Sequence, residues 1–191
     1  SAYYRMMTDL GADERTGAAE LAETFGNIEA DAQFKLAMKL KEVDPLKAAK
    51  AFEDYLVQYP KAPEVNLKSA LYNAANQYEI GGKADTANEL FERFINKYPK
   101  DELSPPLYFR IATNYASVLE LNKSVEYYER LYKNFPTCPD APAALYMAGF
   151  LRTGLGDHKG AAQNFMTYVE KLPAQPDSEA VYWLAAQQWA L

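Results

Sequence analysis

Histidine and cysteine are almost missing from this 191-residue chain: each occurs once, as His158 and Cys138. A lone cysteine excludes an intrachain disulfide and leaves both a reducing cytosol and a cell-envelope setting open. Without a second histidine or cysteine there is no His/Cys cluster for zinc, so no metal or cofactor is expected. His158, in the turn Gly156-Asp157-His158-Lys159, reads as a solvated turn residue, and Cys138, between Pro136 and Pro139, as an inert exposed thiol. No phosphate-binding loop or dinucleotide fingerprint occurs. No apolar run approaches the roughly 18 residues of a membrane span. Bases are outnumbered 20 to 26, for a net charge of −6. The nearest approach to a basic cluster is Lys35, Lys39 and Lys41, so the footprint that nucleic-acid binding requires is lacking. The acidic pairs Asp13-Glu14 and Asp101-Glu102 are adjacent residues that point different ways on a helix. They read as favouring helix starts rather than as a catalytic dyad. These absences point away from an enzyme. The chain starts at Ser1 without an initiator methionine, so the lack of a targeting segment is uninformative.

What the chain has is a period. Ala37, Ala75, Ala112, Gly149 and Ala186 recur at intervals of 38, 37, 37 and 37. Three residues before each stands an aromatic: Phe34, Tyr72, Phe109, Tyr146 and Trp183. A second series, Phe52, Phe91, Tyr128 and Phe165, is followed eight residues later by Pro60, Pro99, Pro136 and Pro173. A period in this range indicates stacked supersecondary units.

Each unit reads as two helices. Leu71, Ala74, Ala75 and Tyr78 share one helical face. Gly81-Gly82 breaks that helix, since glycine accepts the left-handed geometry of a helix end. Ala87, Leu90, Phe91, Phe94 and Ile95 form the next face, and Tyr98-Pro99 ends it, because the residue before proline leaves the α region. The units around Ile111 to Phe135 and Leu145 to Leu172 repeat this plan. In the earliest unit, Asp44-Pro45 supplies an N-cap and a first-turn proline. Its internal turn is one residue shorter, to which the interval of 38 is attributed. The recurring Ala or Gly lets two antiparallel helices approach, and a ring from the partner helix fills the space beside it. Residues 1–28 fall outside the register and read as a degenerate or truncated repeat. Tyr3, Tyr4, Met7 and Leu10 suggest a short helix, and Leu21, Ala22, Phe25 and Ile28 the start of a long one reaching Leu40. The apolar end at Trp189-Ala190-Leu191 suggests a fragment of a longer array, because solenoids need polar caps.

The pattern resembles the tetratricopeptide repeat (TPR). The resemblance rests on Leu145, Ala148, Gly149, Ala161, Phe165 and Pro173, and on Leu71, Ala74, Ala75, Tyr78, Ala87, Phe91 and Pro99. The unit at 105–136 has Ser124 where the family prefers alanine. The resemblance covers residues 29–191, four helix pairs and a final half-repeat. It implies an all-α, right-handed α-α superhelix of antiparallel pairs. The polar spacers between pairs are similar to those of long-period repeats in bacterial cell-envelope proteins, which implies the periplasm or envelope rather than the cytoplasm.

The resemblance also implies a non-enzymatic scaffold whose first helices line a concave face that takes a peptide or protein. The positions concerned are Phe34, Tyr72, Phe109, Tyr146 and Trp183, then, one turn on, Met38, Asn76, Thr113, Phe150 and Gln187. Aromatics suit such a surface because they offer area at low entropic cost. The competing reading is that these rings are core. Arg110 and Arg152 are expected to pair with acidic partner groups. Only Asn76 matches the side chains with which the chaperone-binding subset grips a terminal carboxylate, so that mode is not expected. Two alternatives stand beside the scaffold: a docking or self-assembling piece of a larger machine, self-associating through the C-terminal helix, and the regulatory module of an enzyme in the same polypeptide.

Overall fold

The computed structural model describes residues 12–172 and 175–191. Among them are nine α-helices and no strand: α1 (Ala12–Leu40), α2 (Pro45–Gln58), α3 (Glu64–Ile80), α4 (Ala84–Lys97), α5 (Ser104–Ser117), α6 (Leu121–Asn134), α7 (Ala141–Gly154), α8 (His158–Lys171) and α9 (Ser178–Trp189). The fold is an all-α helical repeat. The short helix expected around Tyr3–Leu10 lies outside the described residues, as does Pro173. Leu21 to Ile28 do lead into one continuous helix that ends at Leu40.

The chain divides into two compact units, Ser1–Leu90 and Phe91–Leu191. In the first, α1 packs on α2 and α2 on α3; in the second, α5, α6, α7, α8 and α9 each pack on the next. Helices α2, α6 and α8 end where expected. Tyr59, Phe135 and Leu172 are C-cap residues with φ of −122°, −138° and −129°, outside the helical range, as the following proline requires. Asp44 caps α2 by accepting from the Lys47 N–H at 3.0 Å. Asp157 does the same for α8 through Gly160 at 3.0 Å.

Between the helices of the last three pairs the chain reverses through a left-handed residue seven places after the recurring small one. Gly82 (φ 74°) and Gly156 (φ 76°) hold that place, and so does Leu119, at φ 63°. A Cβ there meets the following carbonyl, and Leu119 gains nothing in return, being 81% exposed. The attribution of the 38-residue interval is corrected. The stretch from the small residue to the second helix is one residue shorter in the first pair, Ala37 to Pro45 against Ala75 to Ala84. Helix α3, with 17 residues against 14 in α5 and α7, runs three residues further before its alanine, and the linker before it is one shorter. The net is one residue more.

The small residues sit where two helices cross. Ala37, Ala75 and Ala112 are 0% exposed, and a Cβ on Gly149 would lie 2.7 Å from the Phe165 ring. Ala186 holds the same place in the register but is exposed, because α9 is followed by no described partner helix. The neighbouring Ala185 and Val181, turned toward α8, are 0% and 1% exposed. Ser124 is 0% exposed, like its counterparts Ala48, Ala87 and Ala161, and its hydroxyl has no hydrogen-bond partner.

Two predictions follow from register positions. Gly149→Ala crowds Phe165 and is expected to destabilise by about 1–3 kcal/mol, whereas Ala186→Leu, at the equivalent place in α9, leaves the denaturation midpoint unchanged. Ser124→Ala relieves an unsatisfied buried hydroxyl and Leu119→Gly relieves a left-handed side chain. Each is expected to stabilise by about 1 kcal/mol, read as a rise in thermal midpoint of about 2–4 °C.

Candidate partner-binding face

The aromatics that precede the small residues are neither free nor fully buried. Phe34 stands edge-on to Phe52 (5.8 Å) and Tyr55 (5.4 Å), Phe109 edge-on to Tyr128 (5.0 Å), and Tyr146 lies tilted on Phe165 (5.9 Å). Each ring is therefore held by the second helix of its own pair, at centroid separations that favour the ring quadrupoles. Phe34, Tyr72, Phe109 and Tyr146 are all half-buried, as is Asn76. Among the described residues Trp183 has no such partner helix; it is 62% exposed and touches the Tyr182 ring at 6.3 Å. One turn on, Met38 is 39% and Phe150 57% exposed, and Thr113 and Gln187 are exposed. Thr113 is already engaged, donating to the Phe109 carbonyl at 3.0 Å and lying 3.1 Å from the Tyr128 hydroxyl. The core reading and the surface reading thus each hold for part of every ring.

The arginines depart from expectation. The Arg110 guanidinium stacks over Phe91, 4.7 Å from its centroid. Arg152 donates to both carboxylate oxygens of Glu129, at 2.7 and 3.0 Å, and also to Asp157. A guanidinium whose fork is already filled has little left for a partner's acid, so Arg152 is a structural residue. His158 is also corrected: it opens α8, and its Nδ1 lies 2.7 Å from Oε1 of the buried Gln188, tying α8 to α9.

Arg152 belongs to a series that the apolar pattern did not reveal. One residue after each core ring comes Glu53, Glu92 or Glu129, and three residues after the small residue of the next helix comes Tyr78, Tyr115 or Arg152. Tyr78 donates to Glu53; Tyr115 donates to Glu92 at 3.3 Å, and Tyr127 joins it at 2.6 Å. Each acid thereby ties one pair to the next. At the last junction the two places hold Met166 and Trp189 instead. Both line a groove of about 960 Å³ between α6 and α8, with Tyr132 and Leu145, and with Lys133 and Lys159 contributing charge. Of the twelve residues expected to meet a partner, Arg152 alone lines this groove.

Burial, reinforced by the Glu53 hydrogen bond, pushes the Tyr78 phenol up to about 12; burial and Asp177 do the same for Tyr168. A phenol whose folded pKa exceeds its ordinary value of about 10 favours folding while protonated. Its contribution is complete below pH 10 and is lost as pH rises toward 12. Absorbance at 295 nm should show the phenols of Tyr78 and Tyr168 still protonated at pH 11, with Glu53→Gln lowering the Tyr78 midpoint. Unfolding free energy should fall across the same interval.

Residues 69–101, covering most of α3 and all of α4, match the tetratricopeptide repeat family. No curated protein sequence matches the chain. Among solved structures, a tetratricopeptide repeat protein from Parabacteroides merdae superposes with a TM-score of 0.59 at 17% identity, over 84% of this chain and 60% of that one. MamA (residue 41 to its end) from Desulfovibrio magneticus gives 0.53 at 18% identity, over 92% and 96% of the two chains. YrrB, described as a TPR protein with an unusual peptide-binding site, gives 0.52 at 18% identity, over 83% and 75%. At these identities the likeness is one of fold: this chain has the fold of TPR proteins.

Proposed function

We propose that the chain is a non-enzymatic interaction scaffold that holds a peptide segment or protein partner on the first helices of its pairs. In the first unit the surface comprises Phe34, Met38, Tyr72 and Asn76, and in the second Phe109, Thr113, Tyr146, Phe150, Trp183 and Gln187. The observation that carries this is the half-buried ring. Phe34, Phe109 and Tyr146 are each fixed from behind by a ring of the paired helix, so their outer edges are presented with little conformational entropy left to lose. Met38, Phe150 and Trp183 add apolar surface beside them, which isolated structural packing does not require. The TPR fold supports the reading, and YrrB carries a peptide-binding site on the same fold. The polar spacers favour a bacterial cell-envelope setting. A second reading, docking to another copy through α9, has one observation behind it: Tyr182, Trp183 and Trp189 are 49%, 62% and 56% exposed.

The test uses peptides selected from a displayed library against the whole chain. Phe150→Ala and Trp183→Ala remove exposed side chains and should leave the circular dichroism unchanged. Each is expected to weaken the selected peptides by about tenfold. Undiminished affinity in both variants would reject the face. Sedimentation of the chain as a dimer that Trp189→Ala splits would favour the second reading.

A further inference from the structure

The buried hydroxyl of Tyr55 has no hydrogen-bond partner, and the residue is 1% exposed. Tyr55 stands three residues after the core ring Phe52. The same place in α4 and α6 holds Phe94 and Leu131, both 0% exposed, so packing there needs no hydroxyl. In α8 the place is Tyr168, whose hydroxyl donates to Asp177, the N-cap residue of α9. The N-cap residue of α3 is Pro63, which has no side-chain acceptor. Tyr55 thus keeps the donor of that tie and lacks its carboxylate. An orphaned buried donor is costly to a fold, and a bound molecule can satisfy it.

Tyr55 and Pro63 both line a cavity of about 460 Å³ within the first unit, a size that small-molecule sites have. Ala30 forms its buried apolar wall. The other sides are polar: Glu23, Asn27 and Asp31, four residues apart along α1, and opposite them Lys61 of the linker and Asn66 of the first turn of α3. A second cavity of about 470 Å³ shares Glu23, Asn27, Ala30 and Lys61 and extends to Tyr59 and Pro60. Glu23, Asn27, Asp31 and Lys61 are exposed, and exposed side chains change rotamer within nanoseconds. A ligand reaches the hydroxyl by displacing side chains rather than helices.

The lining specifies the chemistry. The repeat itself shows what this hydroxyl takes, a carboxylate, as Tyr168 takes Asp177. Lys61 and Asn66 supply further donors, so an anionic end fits beside Tyr55. A simple anion does not suit the whole cavity, because Glu23 and Asp31 stand on the α1 side and like charges repel. Asp31 is held by Lys35 at 2.6 Å, which leaves Glu23 to meet a cationic end. We infer that the cavity binds a small zwitterion, a free amino acid or a short peptide with both ends free. Its carboxylate accepts from Tyr55 and Lys61, and its ammonium group donates to Glu23.

The whole chain is titrated by calorimetry with L-alanine and L-alanyl-L-alanine, which separate the two sources, and with the N-acetylated and C-amidated form of each. A free form should bind, and blocking either of its ends should weaken it by about tenfold. Tyr55→Phe, a ring that α4 already accepts at this place as Phe94, should weaken the free form by about tenfold without lowering the thermal midpoint. Lys61→Gln and Glu23→Gln should each weaken it by about threefold. Lys61→Gln should leave the C-amidated form unchanged, and Glu23→Gln the N-acetylated form. Phe150→Ala and Trp183→Ala, on the partner-binding face of the second unit, should change nothing, so the two proposals fail separately. No heat from either free form, equal binding of free and blocked forms, or undiminished binding by Tyr55→Phe would overturn the inference, and the cavity would then hold water alone.

Discussion

Close approach of two helices at one station is the condition on which the fold depends. The space at the crossing admits a hydrogen or a methyl group and no more, and a ring from the opposite helix takes up the rest: 2.7 Å separates the Phe165 ring from where a Gly149 Cβ would stand. Because interiors pack at crystal-like density, neither member of such a pair can be enlarged alone. The rest of the register is set by this contact. In three of the four pairs a left-handed turn residue comes seven places later, at Gly82, Leu119 and Gly156, and the chain reverses there to return that ring. Leu119 shows that this demand overrides side-chain preference.

The same contact makes the first helices useful. The residue one turn before the crossing lies at the margin of the hairpin interface. An aromatic there cannot be wholly buried, since the small station leaves room for only one ring, and it cannot be wholly free, since that ring lies against it. Half-burial of Phe34, Phe109 and Tyr146 is a consequence of geometry. Trp183, for which the described residues include no second helix, shows the same position without support and is 62% exposed.

Much of this was legible in the residues because it depends on apolar spacing and on proline. Helix pairs, their ends at Tyr59, Phe135 and Leu172, the Asp44 cap and the break at Gly82 all follow from local rules. What escaped was polar and long-range. The ties from Glu53, Glu92 and Glu129 to Tyr78, Tyr115 and Arg152 span 23 to 25 residues. They join two residue series that look like ordinary solvated positions one at a time. Their shared register was visible, but a carboxylate next to a core ring has no apolar signature to draw attention to it. His158 was misjudged for the same reason: its partner, Gln188, lies 30 residues on. Arg152 looked available because the acid that fills its fork, Glu129, lies 23 residues back on α6. The interval of 38 misled because three small changes in helix, linker and turn nearly cancel.

A repeat fold completes each unit with its neighbour, so its first and last described helices display what the interior hides. At α9 the exposed Tyr182 and Ala186 stand where Leu145 and Gly149 are buried in α7. At α1 the exposed Leu36 and Ala32 stand where Ala148 and Ala144 are buried. Helix α9 has one acid, Glu179, and the exposed side of α1 has Glu20, Glu29 and Asp31 together with Lys35, which pairs with Asp31. Neither border is of one sign, so what either face accepts is set by its apolar side chains rather than by charge.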